Sequence, residues 1–399
     1  MLKKFIYNCL PFMNRKSNKG LTLVVLSLVL FGFIMVMSTL GGKDPEKESL
    51  LFEAIKGAGF IVIAYWGMCV MSKMFSLKWW YQKHWMIGIP LIGAMIATLF
   101  FPETYGARAW IYIGPVSIQP VEFVKVFMII ILALYIELGK ASKVGILHTI
   151  KVPLFYLFVF AAIIVVQKDF GALIILLVII SCLVLFTTNR KFKPLKKFIL
   201  FCMLAGAIFC AFGFTQQGVD FLSSIPFISY FAIRFQNTLN PFVDTANAGY
   251  QMVHGLYGFA HGGIGGVGLG NSIQKYGYLT QSESDYILSI IVEEIGLLGL
   301  FIVVGCYFLI IAILLNYAKR AKSEGYRFIL VGTSIYIFTH FVLNVGGVSG
   351  LIPLTGVPLL FVSSGGSSLV SIMGCIGVCQ AVIAYLRRNG SVMKKKKRA

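Results

Sequence analysis

Residues 20–41 read GLTLVVLSLVLFGFIMVMSTLG and carry no charged side chain. Roughly 20 apolar residues, rising about 1.5 Å each as an α-helix, cross the hydrocarbon of a bilayer. Runs of this kind recur at 50–72, 85–101, 119–138, 150–167, 171–188, 197–214, 286–316, 327–348 and 367–386, so the chain is predicted to cross about ten times. Open sheet cannot satisfy its backbone in lipid, so every span is predicted helical. Of the 399 residues, 58% are hydrophobic and 13% charged, more apolar surface than a soluble core of this size can hide. The expected fold class is all-α integral membrane, one polytopic domain over residues 1–399 with no repeat period and no separate soluble domain.

The net charge of +20 is explained by where it sits. Basic residues crowd positions 1–19 (Lys3, Lys4, Arg15, Lys16, Lys19), alternate loops (Lys73 and Lys78; Lys140 and Lys143; Arg190 and Lys191; Lys319 and Arg320), and the tail over 387–399. The other loops hold acidic residues: Asp44, Glu46, Glu48, Glu103, Asp169, Asp220, Asp244, Glu283 and Asp285. The positive-inside rule then places both termini in the cytoplasm, which requires an even number of spans. Nucleic acid is not needed to account for the charge. None of the eight cysteines lies in an outside loop, so no disulfide framework is expected. The first apolar run has the basic flank of a signal peptide but is too long and lacks a small-residue cleavage site.

The longest outside loop, about 215–285, lies between spans seven and eight. It holds Pro226, Asn240-Pro241, an amphipathic stretch from Tyr250 to Phe259 and a glycine-rich run from Gly262 to Gly270. Its many aromatic residues predict short helices on or in the outer leaflet. Function is expected to concentrate here.

Asp285, just before the eighth span, reads as a helix cap or as a catalytic base held by a cap position. Asp169, before the sixth, reads the same way. Glu122 and Lys125, one turn apart within the fourth span and preceded by Gln119-Pro120, are either a structural pair or a pair lining a substrate cavity. Arg108 is either a phosphate clamp or an interfacial anchor beside Trp110. Glu293 and Glu294, about 12 Å along the eighth helix from Asp285, are expected to be buried and paired or neutral. Asn344 and the Gly/Ser/Pro-rich stretch 346–368 predict broken backbone lining a cavity before the last span. Gly263-Ile264-Gly265-Gly266-Val267-Gly268 satisfies a dinucleotide fingerprint only literally, since no βαβ unit surrounds it. The five histidines are too scattered for a dedicated zinc site.

Together these motifs resemble the SEDS family (shape, elongation, division and sporulation) over nearly the whole chain. The pieces are Arg108-Ala109-Trp110; Gln119-Pro120-x-Glu122-x-x-Lys125; Gln167-x-Asp169-Phe170-Gly171; Asn240-Pro241; Gly268-Leu269-Gly270-Asn271-Ser272; Leu279 to Asp285; Glu293-Glu294-x-Gly296; and Gly350-Leu351-Ile352-Pro353-x-Thr355-Gly356-x-Pro358. The resemblance implies ten spans in the cytoplasmic (inner) membrane and an outside active site that polymerises lipid II with release of undecaprenyl diphosphate. The implied partners are a class B penicillin-binding transpeptidase, divisome proteins and membrane lipids, with no nucleic acid. Gly270 to Lys275 looks more like the division members than the elongation members.

On this resemblance Asp285 is the catalytic base, and Arg108, Gln119, Glu122, Lys125, Asp169, Asn271, Ser272 and Lys275 bind substrate. A divalent cation, magnesium or manganese, held by Asp285 and Glu283 is compatible with it. Three departures stand out: Glu283 replaces a usual histidine, Lys168 the proline of Gln-Pro-Asp, and Ser364 an aromatic residue before Gly365-Gly366-Ser367. A lipid II flippase, an elongation-type polymerase and a non-catalytic scaffold are the alternatives.

Overall fold

The computed structural model describes residues 10, 12–42, 50–104, 106–141, 145–225, 229–245 and 249–396. The outermost basic residues at both ends, Lys143, the acidic residues at 44–48 and Pro226 lie outside the described residues. The first helix, α1 (Lys19–Leu40), starts at Asn18, whose side chain accepts from the Gly20 and Leu21 amides, a side-chain N-cap. There follow α2 (Leu50–Met74), α3 (Leu77–Lys83) and α4 (Trp85–Ala97), then a hairpin of β1 (Ile111–Ile113) and β2 (Val116–Ile118), then α5 (Val121–Ala141), α6 (Ile146–Gln167), α7 (Phe170–Phe186) and α8 (Lys193–Gly213). The long loop folds as α9 (Gln216–Ser223), α10 (Ser229–Leu239) and α11 (Tyr250–Gly262). The chain ends with α12 (Ile287–Ile295), α13 (Leu297–Arg320), α14 (Glu324–Val348) and α15 (Gly366–Lys396).

Among the described residues, seven helices are long and apolar enough to cross a membrane, or eight if α3 and α4, bent by 61°, form one span. Three predicted spans therefore fall outside those seven. The third is this bent pair, α7 is only 17 residues long, and α5 carries Glu122, Lys125 and Glu137 within its length. The fold is also not wholly helical, because β1 and β2 pair antiparallel with Ile111 opposite Ile118.

The largest departure is in the predicted eighth span, 286–316. Gly296, at φ 73° and ψ −159°, stops α12 after nine residues and starts α13 in a new direction. That conformation suits only glycine, and a Cβ there would stand 2.2 Å from the Ile264 carbonyl oxygen.

The buried centre is built on α5 and α14. Gly332 of α14 lets Ile129 of α5 and Leu183 of α7 approach it. Gly377 of α15 lies against the Met68 backbone of α2. Glycine also seats α11 on α12: Gly258 faces Ser289, and the Ser289 hydroxyl donates to the Gly255 carbonyl at 2.6 Å. α9 and α10 share a small apolar core of Val219, Leu222, Ala232 and Phe235. Between α14 and α15 the chain runs without helix or strand from 351 to 365, as the broken stretch predicts.

Candidate functional site

Five consecutive residues of that irregular segment each lie against a different residue elsewhere in the fold. The Leu354 carbonyl accepts a hydrogen bond from Arg234 on α10. The Thr355 carbonyl lies where a Cβ on Gly171 would reach it at 2.9 Å, beside the start of α7. Gly356 faces Asp285, whose Oδ2 would be 3.5 Å from an added Cβ. The Val357 carbonyl accepts from Asn344 Nδ2 at 2.8 Å, and the Pro358 carbonyl lies 3.3 Å from His340 Nδ1. Gly356 has a φ of +67°, a turn that a side chain would strain.

Asp285 is held through its backbone. Asn344 Nδ2 donates to its carbonyl at 2.8 Å, the Ser363 hydroxyl to the Ser284 carbonyl at 2.6 Å, and the Ser364 amide to the Glu283 carbonyl at 2.9 Å. The side chain does not cap a helix, because Tyr286 occupies the cap position of α12 and no side-chain cap forms there. Burial raises the Asp285 carboxyl to about 6; the Arg234 charge opposes the shift and Glu283 adds to it. Asn344 Oδ1 and Thr355 Oγ1 are buried without a partner among the described residues. Unpartnered buried polar atoms are unfavourable. Asn344 is tied to the Asp285 carbonyl and Thr355 is the neighbour of Gly356, which faces the carboxylate, so both atoms could serve a hydroxyl-rich ligand bound at this turn. A carboxyl near 6 is mostly ionised at neutral pH and basic enough to accept a proton from such a hydroxyl.

Asp169, which reads like Asp285 in sequence, does cap its helix. Its Oδ1 accepts from the Ala172 amide at 3.0 Å and its Oδ2 from Gln119 Nε2 at 2.9 Å. Burial moves its carboxyl upward, against these hydrogen bonds. The Gln119 backbone amide in turn donates to the Ser367 hydroxyl oxygen at 3.3 Å.

Glu122 and Lys125 are fully buried and 2.7 Å apart. Tyr336 donates to Glu122 at 2.8 Å, and Lys125 Nζ lies 3.1 Å from His340 Nε2. A lysine donor on Nε2 and a carbonyl at Nδ1 assign His340 as the Nδ1–H tautomer. The pair thus supports the segment from beneath, and its polar atoms are taken up inside the network.

Ser272 and Lys275 are equally occupied. The Ser272 hydroxyl and the Ile273 and Gln274 amides all donate to Glu293, with His261 3.0 Å away. Lys275 meets Glu294 at 3.0 Å and the Gly270 carbonyl at 2.6 Å, while Ser38 of α1 donates to Glu294 at 2.7 Å. These contacts tie the glycine-rich loop to α12 and α1. The structure brings the two residues to Glu293 and Glu294 rather than to Asp285. Asn271 stays exposed, donating to the Val267 carbonyl.

Arg108 is half exposed, 3.9 Å from Glu103. It lines a cavity of about 240 Å³ with Leu99, Gln167 and Lys168. Lys168 stands at φ +62°, and Gln167 Oε1 is buried without a partner among the described residues. No cluster of three or more His, Cys, Asp or Glu side chains suited to a metal occurs among the described residues. Asp285 and Glu283 are the two carboxylates that would hold magnesium or manganese, an ion usually bound by one or two carboxylates plus substrate phosphates.

Sequence reasoning missed Arg234, which with Lys275 makes up the Lys/Arg content of the loop over 215–285, and set His340 aside because only metal spacing was sought. Tyr336 and His340, four residues apart on one face of α14 beside a buried Glu–Lys pair, were the available signal.

The chain matches the family described as "Cell cycle protein" (FTSW_RODA_SPOVE) over residues 19–388. It is 33% identical over 392 residues to the "Probable peptidoglycan glycosyltransferase FtsW" of Lactococcus lactis, covering 90% of each. It is 31% identical over 340 residues to the protein of the same description from Bacillus subtilis, covering 84% of this chain and 82% of that one. Two solved structures share the fold. One is a chain from "Structural coordination of polymerization and crosslinking by a peptidoglycan synthase complex" (TM-score 0.65, 21% identity, 93% of this chain and 98% of that one). The other is the Thermus thermophilus rod shape determining protein RodA (TM-score 0.60, 19% identity, 92% of this chain and 96% of that one). A match to the family over residues 19–388, together with relatives matched along nearly the whole chain, identifies this chain as a member of the FtsW/RodA/SpoVE (SEDS) family of cell cycle proteins.

Proposed function

We propose that this protein is a peptidoglycan glycosyltransferase that polymerises lipid II at the outer face of the cytoplasmic membrane during septal wall synthesis, with about ten spans and both termini cytoplasmic. The observation that carries the reading is the Asp285 turn, where a carboxyl raised to about 6 is held by Asn344 on its carbonyl and faces Gly356, while Asn344 Oδ1 and Thr355 Oγ1 are buried without a partner among the described residues. The division role draws support from relatives that carry the name FtsW.

In the proposed reaction Asp285 accepts the proton of the 4-hydroxyl on the acceptor's N-acetylglucosamine. The freed oxygen forms a bond to the anomeric carbon of the donor's N-acetylmuramic acid. The bond from that carbon to the diphosphate breaks with inversion, and undecaprenyl diphosphate leaves with the electron pair. Such a leaving group needs no second carboxylate as acid, unlike glycoside hydrolysis. Fixed cations stabilise charge developing in a dry site. Arg108 and Lys168 line one cavity and Arg234 faces the carboxylate, so these three are the candidates. Magnesium or manganese on Asp285 and Glu283 would neutralise diphosphate charge. A class B penicillin-binding transpeptidase and divisome proteins are the proposed partners.

The test is lipid II polymerisation in liposomes by wild type and Asp285→Ala, each with and without the transpeptidase, and with divalent cation present or chelated. Glycan strands from wild type alone are expected. Polymerisation by a folded Asp285→Ala overturns the assignment of the base. Inactive wild type beside its partner, with lipid II translocated in a flipping assay, replaces the polymerase with the flippase.

A further inference from the structure

Three helix ends meet at the basic side of the bundle, away from the Asp285 turn. Asn18, the cap of α1, and Gln380 of α15 exchange two hydrogen bonds. The Asn18 amide donates to Gln380 Oε1 at 2.7 Å, and Gln380 Nε2 donates to the Asn18 carbonyl at 2.9 Å. Arg387, two turns further along the same face of α15, donates from Nη1 to the Ser17 carbonyl at 2.7 Å and from Nε to the Tyr317 hydroxyl of α13 at 3.0 Å. Asn18 Nδ2 also lies 3.4 Å from that hydroxyl.

Two guanidiniums share the Tyr317 ring. Arg387 stands 5.4 Å and Arg320 5.5 Å from its centroid. The hydrogen-bond acceptors of Arg387 are neutral oxygens, and among the described residues neither arginine meets a carboxylate. The ring attracts each cation but leaves their mutual repulsion in place. Lys16, Lys19, Lys319 and Arg388, their neighbours in the chain, are exposed and add to the same charge. Glu324, four residues beyond Arg320, is buried and taken up by Thr188 and Arg327. The fold supplies no counter-ion here, so an anion from outside would relieve the repulsion.

Position selects the anion. The join lies where α1 begins and α13 ends, and these helices have 22 and 24 residues, the length of a bilayer crossing. It therefore stands at the depth of lipid headgroups. Leu23, one turn into α1, and Leu315, two residues before Tyr317, are exposed and offer acyl chains an apolar wall next to the charges. A soluble phosphate would use the arginines alone, whereas a phospholipid would use the wall as well. Arginine also suits the ligand, since its planar fork pairs with phosphate oxygens.

We propose that Arg320 and Arg387, set around Tyr317, hold the phosphate of an anionic phospholipid, which on the proposed orientation belongs to the inner leaflet. The bound lipid fastens the ends of α1, α13 and α15 to one another. The proposal is independent of the reaction at Asp285 and stands whether the protein is a polymerase or a flippase.

The test titrates delipidated full-length protein in detergent with phosphatidylglycerol, phosphatidylcholine or inorganic phosphate. Bound species are counted by native mass spectrometry, and thermal unfolding of the same samples reports the fold. Wild type is expected to retain phosphatidylglycerol at least about tenfold more tightly than phosphatidylcholine, whose phosphate is neutralised by its own cation. Arg320→Gln, which removes a side chain that among the described residues meets only the ring, should weaken phosphatidylglycerol about fivefold. Arg320→Gln with Arg387→Gln should weaken it by about tenfold or more. Lys193→Gln with Lys197→Gln removes the same charge from the exposed start of α8 and should match wild type. If the double arginine variant lacks a cooperative transition, Arg320→Gln decides alone. An equal loss in the lysine variant would mark a diffuse basic surface and overturn the site. Equal affinity for phosphatidylcholine overturns it too, as does displacement of the lipid by inorganic phosphate at equal concentration, the mark of a soluble-anion site. Wild type that retains no phosphatidylglycerol has the same consequence.

Discussion

The two ends of α12 carry carboxylates treated in opposite ways. At its far end Glu293 accepts from Ser272 and two backbone amides with His261 beside it, and Glu294 is held by Lys275 and Ser38. Just before its start Asp285 keeps a carboxyl raised to about 6 among buried polar atoms that lack partners. Saturated carboxylates fasten the glycine-rich loop. The poorly compensated one remains available to react. The lesson is that burial alone does not identify a functional acid; the ratio of donors to acceptor sites around it does.

The comparison breaks most sharply at Asp285. Asp285→Ala is expected to lower polymerisation by about 10²–10⁴-fold, the range for losing a general base, with the fold intact by thermal unfolding in detergent. Asp285→Asn has a signed consequence for stability. A carboxyl whose folded value is raised loses stability as pH climbs from its unfolded value, 3.8, toward about 6. The asparagine variant should therefore be more stable than wild type above pH 6 and match it below about pH 4. At the other end, Lys275→Met leaves Glu294 without its cation and should destabilise by about 3–5 kcal/mol, read as a lower unfolding midpoint. Equal melting of wild type and Lys275→Met would remove the distinction between the two ends.

Smaller effects sharpen it. The pH profile of kcat/KM should fall about tenfold per unit on the acid side of about 6. Arg234→Gln removes a charge that lowers the Asp285 value, so it should move this limb to higher pH, and Glu283→Gln should move it to lower pH. Shifts in the opposite senses would show that another group sets the limb. Thr355→Val deletes a buried hydroxyl that has no partner among the described residues. A drop of about tenfold in activity with unchanged or raised stability is expected if that hydroxyl serves substrate, and unchanged activity would assign it no such role.

Much of this was legible beforehand. The apolar runs announced the helices, and Asp285, Asp169 and the Glu122–Lys125 pair were visible as charges next to or inside lipid-length segments. The break at Gly296 was hidden because the apolar pattern continues through it from Ile287 to Leu315, and hydropathy does not register a change of direction. Asp169 and Asp285 both precede a helix, yet only one caps it, because the turn from 280 to 286 places Tyr286 at the cap. Ser272 and Lys275 read as substrate ligands, and their hydrogen-bond partners Glu293 and Glu294, 21 and 19 residues away, are a relation the local motif does not encode. Arg234 acquires meaning only through a carbonyl 120 residues further on, a relation no local spacing encodes.

The stretch from Leu354 to Pro358 has a mechanical consequence. Held in turn by α10, the start of α7, the Asp285 turn and two levels of α14, it works as a common ruler for those parts. None of them can shift without changing the gap between Gly356 and the carboxylate.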